Sequence, residues 1–262
     1  MKGAEEMGFY FLMGIVALGA LLLIYMLYLA FENNLKEQEL LFSDFPETFG
    51  SLKVFFISDI HKRIVSDTLV SSVKGKADLV IIGGDIREKR VPLGNVEANI
   101  LKLKSIAPVF FVWGNNDYEG EYRALDHLLL SHGVKILDNT ATSFESAAGD
   151  RVVILGVDDL GLSKDRLDLA LFDAGEGGFR ILVSHNPEII QKIETEHKIS
   201  LVLSGHTHGG QIRFAGIGPY KKGRIEKAGN VTLLTSNGYG TTMLPLRLGA
   251  KSECHLLTIR NG

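Results

Sequence analysis

The stretch 53-KVFFISDIH-61 decides how the chain is read. Residues 53–58 are mostly β-branched or aromatic, and the run is short enough for a buried strand. Asp59-Ile60-His61 follows at once, so two metal-competent side chains stand beside its end. A buried strand ending in a carboxylate and an imidazole places both at the carboxyl edge of a sheet, where open α/β structures bind their ligands. The reading therefore turns on whether other strands end the same way.

They do. "DLVII" (78–82) runs into Gly83-Gly84-Asp85, and "PVFFVW" (108–113) into Gly114-Asn115-Asn116-Asp117. "RILVS" (180–184) runs into His185, and "SLVLS" (200–204) into Gly205-His206-Thr207-His208. Helical patterns fall between them: 66–75 with Ser66 as N-cap and Gly75 as stop, 95–105, 121–132 ending at Gly133, a segment near 164–173, and one starting at Asn186-Pro187. Shorter strands are predicted around 134–137, 142–146 and 151–156, with "VTLLTS" and "CHLLTI" closing the chain. Strands alternating with helices imply parallel pairing. Two such halves packed sheet against sheet predict an α/β/β/α four-layer sandwich.

Within "LSGHTHGGQIRF" (203–214) the two histidines stand two residues apart and point the same way, while glycines on both sides leave room for a metal ion with a large ligand beside it. Each short motif has an ordinary alternative as a loop, a turn or a helix cap. Their order and placement at five strand ends is what singles them out. Carboxylate, imidazole and amide oxygen suit a divalent first-row ion, Mn²⁺ foremost, with Fe²⁺ and Zn²⁺ as alternatives. No thiolate joins them, which argues against a structural zinc cage. There are more donors than one ion needs, so two ions are expected. A pair ~3.5–4 Å apart can clamp an in-line displacement at phosphorus and generate hydroxide at neutral pH.

The apolar excess of the 262-residue chain sits at one end. Gly8 to Phe31 carries no charge, and at ~1.5 Å per residue it is long enough to cross a ~30 Å hydrocarbon core. Tyr10, Tyr25 and Tyr28 lie near its ends, where amphipathic rings settle. A cleaved signal peptide fits less well, because the run is long, the start "MKGAEEM" is partly acidic and no clear cleavage site follows. A buried core helix fits least, since the segment is apolar all round. Residues 1–7 read as an N-terminal tail, 8–31 as the transmembrane helix, 32–51 (polar, with Pro46 and Gly50) as a linker, and 52–262 as one domain. Positive charge is nearly tied across the span, so the sequence leaves the side of the membrane open, and the oligomeric state with it. Cys254 is the only cysteine, which excludes an internal disulfide. A net charge of −3 gives no support for broad nucleic-acid binding.

Taken together, "SDIH", "GGD", "GNND", "SHNP" and "GHTHGGQ" resemble the five blocks of the calcineurin-like metallophosphoesterases, over about residues 52–259. "GHTHGGQ" with the tail "SNGYGTTMLPLRLG" is similar to a membrane-associated bacterial subgroup that includes phosphodiesterases and lipid-A-pathway pyrophosphohydrolases. The resemblance implies that Asp59, His61 and His208 hold one metal, that Asn115, His185 and His206 hold the other, and that Asp85 bridges both. It implies the same four-layer fold and an attack on phosphorus by a metal-bridging hydroxide.

Two departures matter. Asn116 stands where the family usually has a histidine that faces the phosphate and protonates the leaving group; an amide can donate a hydrogen bond there but cannot deliver a proton. Arg87, Lys89 and Arg90 follow Asp85, and Lys62 and Arg63 follow His61. They predict either a positive mouth, with Arg87 helping Asn116 and Asp85 at the reacting phosphate, or two solvated loops. "YKKGRIEK" (220–227) reads as a lipid-headgroup contact or as a charged hairpin. His127, His132, His197 and His255 read as structural or exposed, and Arg247 as approaching the site or locking the last loop.

The leading expectation is a membrane-anchored, metal-dependent phosphoesterase acting on a phosphodiester or pyrophosphate, with a phosphorylated small molecule or a lipid-linked substrate. The alternative is a catalytically weak metal-binding scaffold. Asn116 favours the alternative; the complete donor set opposes it.

Overall fold

The computed structural model describes residues 2–262. Its first sheet contains β1 (Leu35–Leu41), β2 (Ser51–Ile57), β3 (Leu79–Ile82), β4 (Val109–Phe111), β5 (Lys135–Ile136) and β12 (Cys254–Arg260), in the order β1-β12-β2-β3-β4-β5. The second contains β6 (Thr140–Glu145), β7 (Arg151–Gly156), β8 (Phe179–Val183), β9 (Ile199–Ser204), β10 (Arg224–Ala228) and β11 (Val231–Thr235), in the order β10-β11-β9-β8-β7-β6. β2 through β5 run parallel, as do β7, β8, β9 and β11.

The period-2 geometry of the strands sorts their side chains into layers. Val54 and Phe56 of β2 face the second sheet and pack with Ile154, Ile181, Val183, Leu201 and Leu203. Phe55 and Ile57, one residue out of phase, join an outer core. The helices α2 (Asp67–Val73), α3 (Leu93–Lys104) and α4 (Tyr122–Ser131) cover that core with Leu69, Val73, Val96, Ile100 and Leu125. A third core, under α5 (Leu167–Ala174), covers the far face of the second sheet. Strands buried on both faces need near-continuous apolar runs, which is what "VFFI" and "LVII" supply.

Three segments differ from the sequence reading, and a fourth follows one of its two alternatives. The linker expected over 32–51 contains β1, which pairs in parallel with β12 from Leu35–Cys254 to Leu41–Arg260. An edge strand is exposed on one side, so its lysine and glutamates read as linker although Leu40, Phe42 and Phe45 are buried. The tail expected over 1–7 is part of the first helix, α1 (Lys2–Phe31), with Met1 outside the described residues. The helix expected from Pro187 is a 3₁₀ turn over Pro187–Lys192, although Asn186 caps it as predicted, accepting from Glu188 N at 2.9 Å. The basic run 220–227 leads into β10, the hairpin partner of β11.

α1 is long and apolar enough to cross a membrane, and most of its length is exposed. Its last turns dock on the domain through buried Met26, Leu29 and Ala30. A helix end leaves carbonyls without intrahelical partners, and Arg63 meets them. Its guanidinium donates to Phe31 O at 2.5 Å, to Glu32 O at 3.1 Å, to Asn33 Oδ1 at 2.8 Å and to Tyr239 O at 2.7 Å, and it lies 3.7 Å over the Tyr239 ring. Arg247 N donates to Met26 O at 3.1 Å.

Candidate metal centre

At the carboxyl ends of β2, β3, β4, β8 and β9 the chain turns sharply. Asp59, His61, Asp85, His206 and His208 all have positive φ, between 49° and 69°. Left-handed backbone costs an ordinary residue on the order of 1 kcal/mol or more, so five strained residues here require the surrounding structure to hold them. It does so by joining the loops. Asp59 N donates to Gly84 O and His61 N to Asp85 O. His206 N donates to Asp59 Oδ1 at 3.0 Å, and Asn116 N to Asp85 Oδ1 at 2.8 Å. The loop after β11 lies across the same turn, with Tyr239 N on Ser58 O and Gly240 N on Asp59 O. Two glycines are sterically required. A Cβ on Gly114 would collide with the Asp85 carboxylate, and one on Gly205 with that of Asp59.

The result is one cluster. Asp59, His61 and His208 bring their donor atoms within 4.8 Å of one another, and so do Asp59, Asp85 and His185. His61 Nε2 and His208 Nε2 are 3.1 Å apart. Asp85 Oδ2 lies 3.2 Å from His185 Nε2 and 3.8 Å from His61 Nε2, so one carboxylate reaches both sides. His206 Nδ1 sits 3.0 Å from Asn115 Oδ1 and 3.2 Å from His185 Nε2. All seven residues singled out from the sequence meet here.

A second layer holds the first. His185 Nδ1 is 2.9 Å from Gly83 O; an N–H donated there leaves Nε2 as the donor atom facing Asp85, the usual tuning of a ligand histidine. Burial works against a charge on His185, but the adjoining Asp85 carboxylate prevails and pushes its pKa up to about 10. Burial and then the neighbouring His185 lower His206; burial, then His61 and the Arg247 charge, hold His208 well below the ordinary value. Both thus remain neutral, the form that binds metal. Asp117 closes the floor from below, its carboxylate accepting from Asp85 N at 2.8 Å, Gly114 N at 2.9 Å and Arg87 N at 3.2 Å. Burial and then the Asp85 charge push its pKa up to about 8.

Arg247 is fully buried and locks the last loop. It donates to Asn237 O and Gly240 O, each at 2.6 Å, and to His208 O at 3.2 Å. Gln211 performs the same task from the other side, donating to Thr242 O and Leu244 O at 3.1 Å and accepting from Thr242 N at 3.0 Å. The roles of Asp117 and Gln211 escaped the sequence reading, although both stand inside the recognised blocks.

Neither alternative, a positive mouth or two solvated loops, describes all the basic residues after Asp85 and His61. Arg87 is buried against Gly120, where a Cβ would strike its guanidinium, and it does not line the cleft over the cluster. Arg63 is the buried clasp on α1, and Lys62 is paired with Glu88 at 2.6 Å. Lys89 and Arg90 are exposed. Asn116 does line the cleft, beside Asp85, Asn115, His206 and His208. Of the other histidines, His132 pairs with Glu97 at 3.0 Å and His255 is buried against Ser236 and Gln38.

Carboxylates, imidazoles and an amide, converging on shared points without a thiol, fit divalent cations. Two back-to-back sheets with such a cluster at their carboxyl ends define the metallophosphoesterase class. The chain belongs to the calcineurin-like phosphoesterases, whose family profile matches residues 52–210. It is 46% identical over 210 residues to the Bacillus subtilis (strain 168) protein YpbG, covering 79% of this chain and 81% of that one. It is 25% identical to the phosphodiesterase YaeI of Escherichia coli (strain K12), covering 82% of this chain and 84% of that one. The Haemophilus influenzae NAD nucleotidase NadN shares the fold, with a TM-score of 0.51 at 15% identity over 72% of this chain and 46% of that one.

Proposed function

We propose that the chain is a membrane-anchored phosphoesterase that uses two divalent cations, Mn²⁺ foremost, to hydrolyse a phosphodiester or a pyrophosphate, with a lipid-linked substrate suited to the anchor. The observation that carries this reading is Asp85, whose carboxylate oxygen reaches His185 on one side and His61 on the other. Asp59, His61 and His208 would hold one cation, and Asn115, His185 and His206 the other, with Asp85 between them. When bound, such a pair supplies Lewis-acid charge at the phosphoryl oxygens and an acidified water.

The chain's own residues set the specificity. Asn116 Oδ1 accepts from Asn115 Nδ2 at 3.3 Å, which leaves the Asn116 amide group to donate to a phosphoryl oxygen in the cleft. It supplies no proton, and general acid assistance is worth about 10²–10⁴-fold. Leaving groups that depart as stable anions lose least by this, such as a nucleotide or phosphate released from a pyrophosphate, or an activated phenol. Simple alkyl phosphomonoesters lose most. The anchor reading is supported by the way Arg63, Met26, Leu29 and Ala30 build the end of α1 into the domain. Cleavage after this helix would expose that apolar surface and strand a buried guanidinium.

The test uses metal-stripped full-length protein in detergent, a chromogenic aryl phosphodiester and added Mn²⁺, with Asp85→Asn as control. Turnover that appears with Mn²⁺ and vanishes in Asp85→Asn supports the reading. Mn²⁺-independent turnover overturns the metal-dependent reading, and no turnover on a diester or a pyrophosphate overturns the enzyme reading in favour of a scaffold.

A further inference from the structure

Two exposed apolar tips rim the metal cleft. The first is the turn Phe214–Ile217, with Phe214 73% and Ile217 79% exposed; the second is Met243-Leu244, 84% and 60% exposed. Neither is a loose loop. Phe214 and Ile217 exchange backbone hydrogen bonds across a tight turn, and Arg213 reaches beneath it to Gly216 O and back to Gly209 O of the histidine turn. Gln211 holds the second tip by Thr242 and Leu244. Ile212, Pro219, Tyr220, Met243 and Leu244 continue the apolar surface into the cleft, as far as His206, His208 and Asp85. Soluble surfaces rarely keep large aliphatic and aromatic side chains clustered in the open.

The position of α1 says what covers them. The second tip runs into Arg247, whose N–H meets Met26 O. At roughly 1.5 Å per residue, Met26 lies about 7 Å back along α1 from Phe31, inside the uncharged run. The rim of the cleft thus reaches the level at which the helix leaves the hydrocarbon. Beside it stand Tyr220 and the exposed pair Lys221 and Lys222, an aromatic ring next to cations, as suits the headgroup region of an anionic leaflet.

We propose that Phe214, Ile217, Met243 and Leu244 form a collar that seats in the bilayer crossed by α1, so that the metal cleft opens onto the lipid interface. This rests on the anchor reading of α1 and deepens it. The phosphate group reaches the metal cluster without leaving the membrane surface, and the apolar part of an amphiphilic substrate passes between the two tips.

The test needs neither metal nor substrate. Single cysteines replace Phe214, Met243, Leu18 in α1, and Phe172, which is 88% exposed on α5, on the far side of the domain. Native Cys254 is buried, and burial pushes its thiol up, so an environment-sensitive fluorophore goes to the introduced site. Each full chain is reconstituted in phosphatidylcholine–phosphatidylglycerol vesicles with and without nitroxide-labelled lipid. For a collar buried ~5–10 Å into the headgroup boundary, nitroxide lipid should cut emission about twofold or more at 214, 243 and 18, and leave 172 unchanged. Quenching at 18 alone, with 214 and 243 as open to aqueous iodide as 172, overturns the collar and leaves the anchor standing. Labels at 214 and 243 that are shielded from iodide yet untouched by nitroxide lipid also overturn it, in favour of self-association. Absence of quenching at 18 removes the anchor and the collar together.

Discussion

At the floor of the cleft, five of the seven donor residues sit on strained, left-handed backbone, Asp59, His61, Asp85, His185 and His208 are buried, and backbone hydrogen bonds tie their loops to one another. At the mouth, Phe214, Ile217 and Met243 stand open. The floor is over-determined from within the domain; the mouth is shaped from within but completed from outside. The hinge between them is a pair of buried arginines, Arg63 and Arg247, which grip the end of α1 and the last loop. In physical terms, precision at the reacting centre comes from crowding, whereas access comes from surface left uncovered.

The largest effect should come from disturbing the floor without removing a donor. In Gly114→Ala the new Cβ strikes the Asp85 carboxylate. Displacing a reacting geometry by about 1 Å can cost 10²-fold, so turnover on an aryl diester should fall by about 10²-fold or more, with weaker metal uptake by elemental analysis. Wild-type turnover and metal content would show that the floor is not set by crowding. Next in size is the hinge. Arg63→Met removes the donors on Phe31, Glu32 and Tyr239 carbonyls while keeping apolar bulk. The expected loss is about 2–3 kcal/mol of stability, read as a lower urea midpoint in detergent, with metal content unchanged. If metal is lost too, floor and mouth are one unit and the contrast fails.

Acid offers a smaller lever on the same hinge. Glu253, at the end of the last loop, is ion-paired with Lys36 of β1, accepts from Asn237 N at 2.8 Å and lies 3.6 Å from His255. Burial alone would raise its pKa, but His255 and then Lys36 prevail and bring it from 4.5 down to about 2. A carboxylate depressed in the folded state stabilises the fold above its unfolded pKa, and that contribution is lost as pH falls from about 4.5 toward 2. At 1.36 kcal/mol per unit the ceiling is about 3 kcal/mol, with about 1–2 more realistic for one member of a network. Urea midpoints of wild type and Glu253→Gln should therefore converge as pH drops through that window. A gap that stays constant would mean the ionised carboxylate is not what ties β1 to the loop.

The same contrast explains what could be read beforehand. The seven donors were legible because each follows a buried strand, and buried strands announce themselves by apolar runs such as "VFFI" and "LVII". The glycines beside them were legible as close approaches, although not which oxygen each one faces. β1 was not legible, because an edge strand with "KEQE" exposes alternate polar residues and looks like linker. Arg63 and Arg87 read as mouth charges or as solvated loop residues because a basic residue next to a ligand gives no sign of whether it turns outward or beneath the loop. Only a helix end with unpaired carbonyls, or a glycine without Cβ, tells where each guanidinium goes, and neither is near in sequence. The collar was hidden for a related reason: "RFAGIG" and "TTMLPL" are short apolar interruptions in loops, and their meaning depends on how far along α1 they reach.

Asn116 stands where floor and mouth join, its backbone N–H on Asp85 and its side chain lining the cleft. The smallest predicted change therefore concerns selectivity and not assembly. Asn116→His restores a group that can carry a proton while leaving the backbone contact to Asp85 in place. Across a series of aryl phosphodiesters, the gain should rise with leaving-group pKa, reaching about tenfold for the poorest, a fraction of the ~10²–10⁴ of an evolved general acid. Activated phenols, which need no proton, should gain little. Equal gains along the whole series would mean that the amide was limiting phosphate placement and not proton delivery. A loss everywhere would mean that Asn116 belongs to the crowded floor, where added volume is not tolerated, and that the boundary drawn between the two regions lies further out.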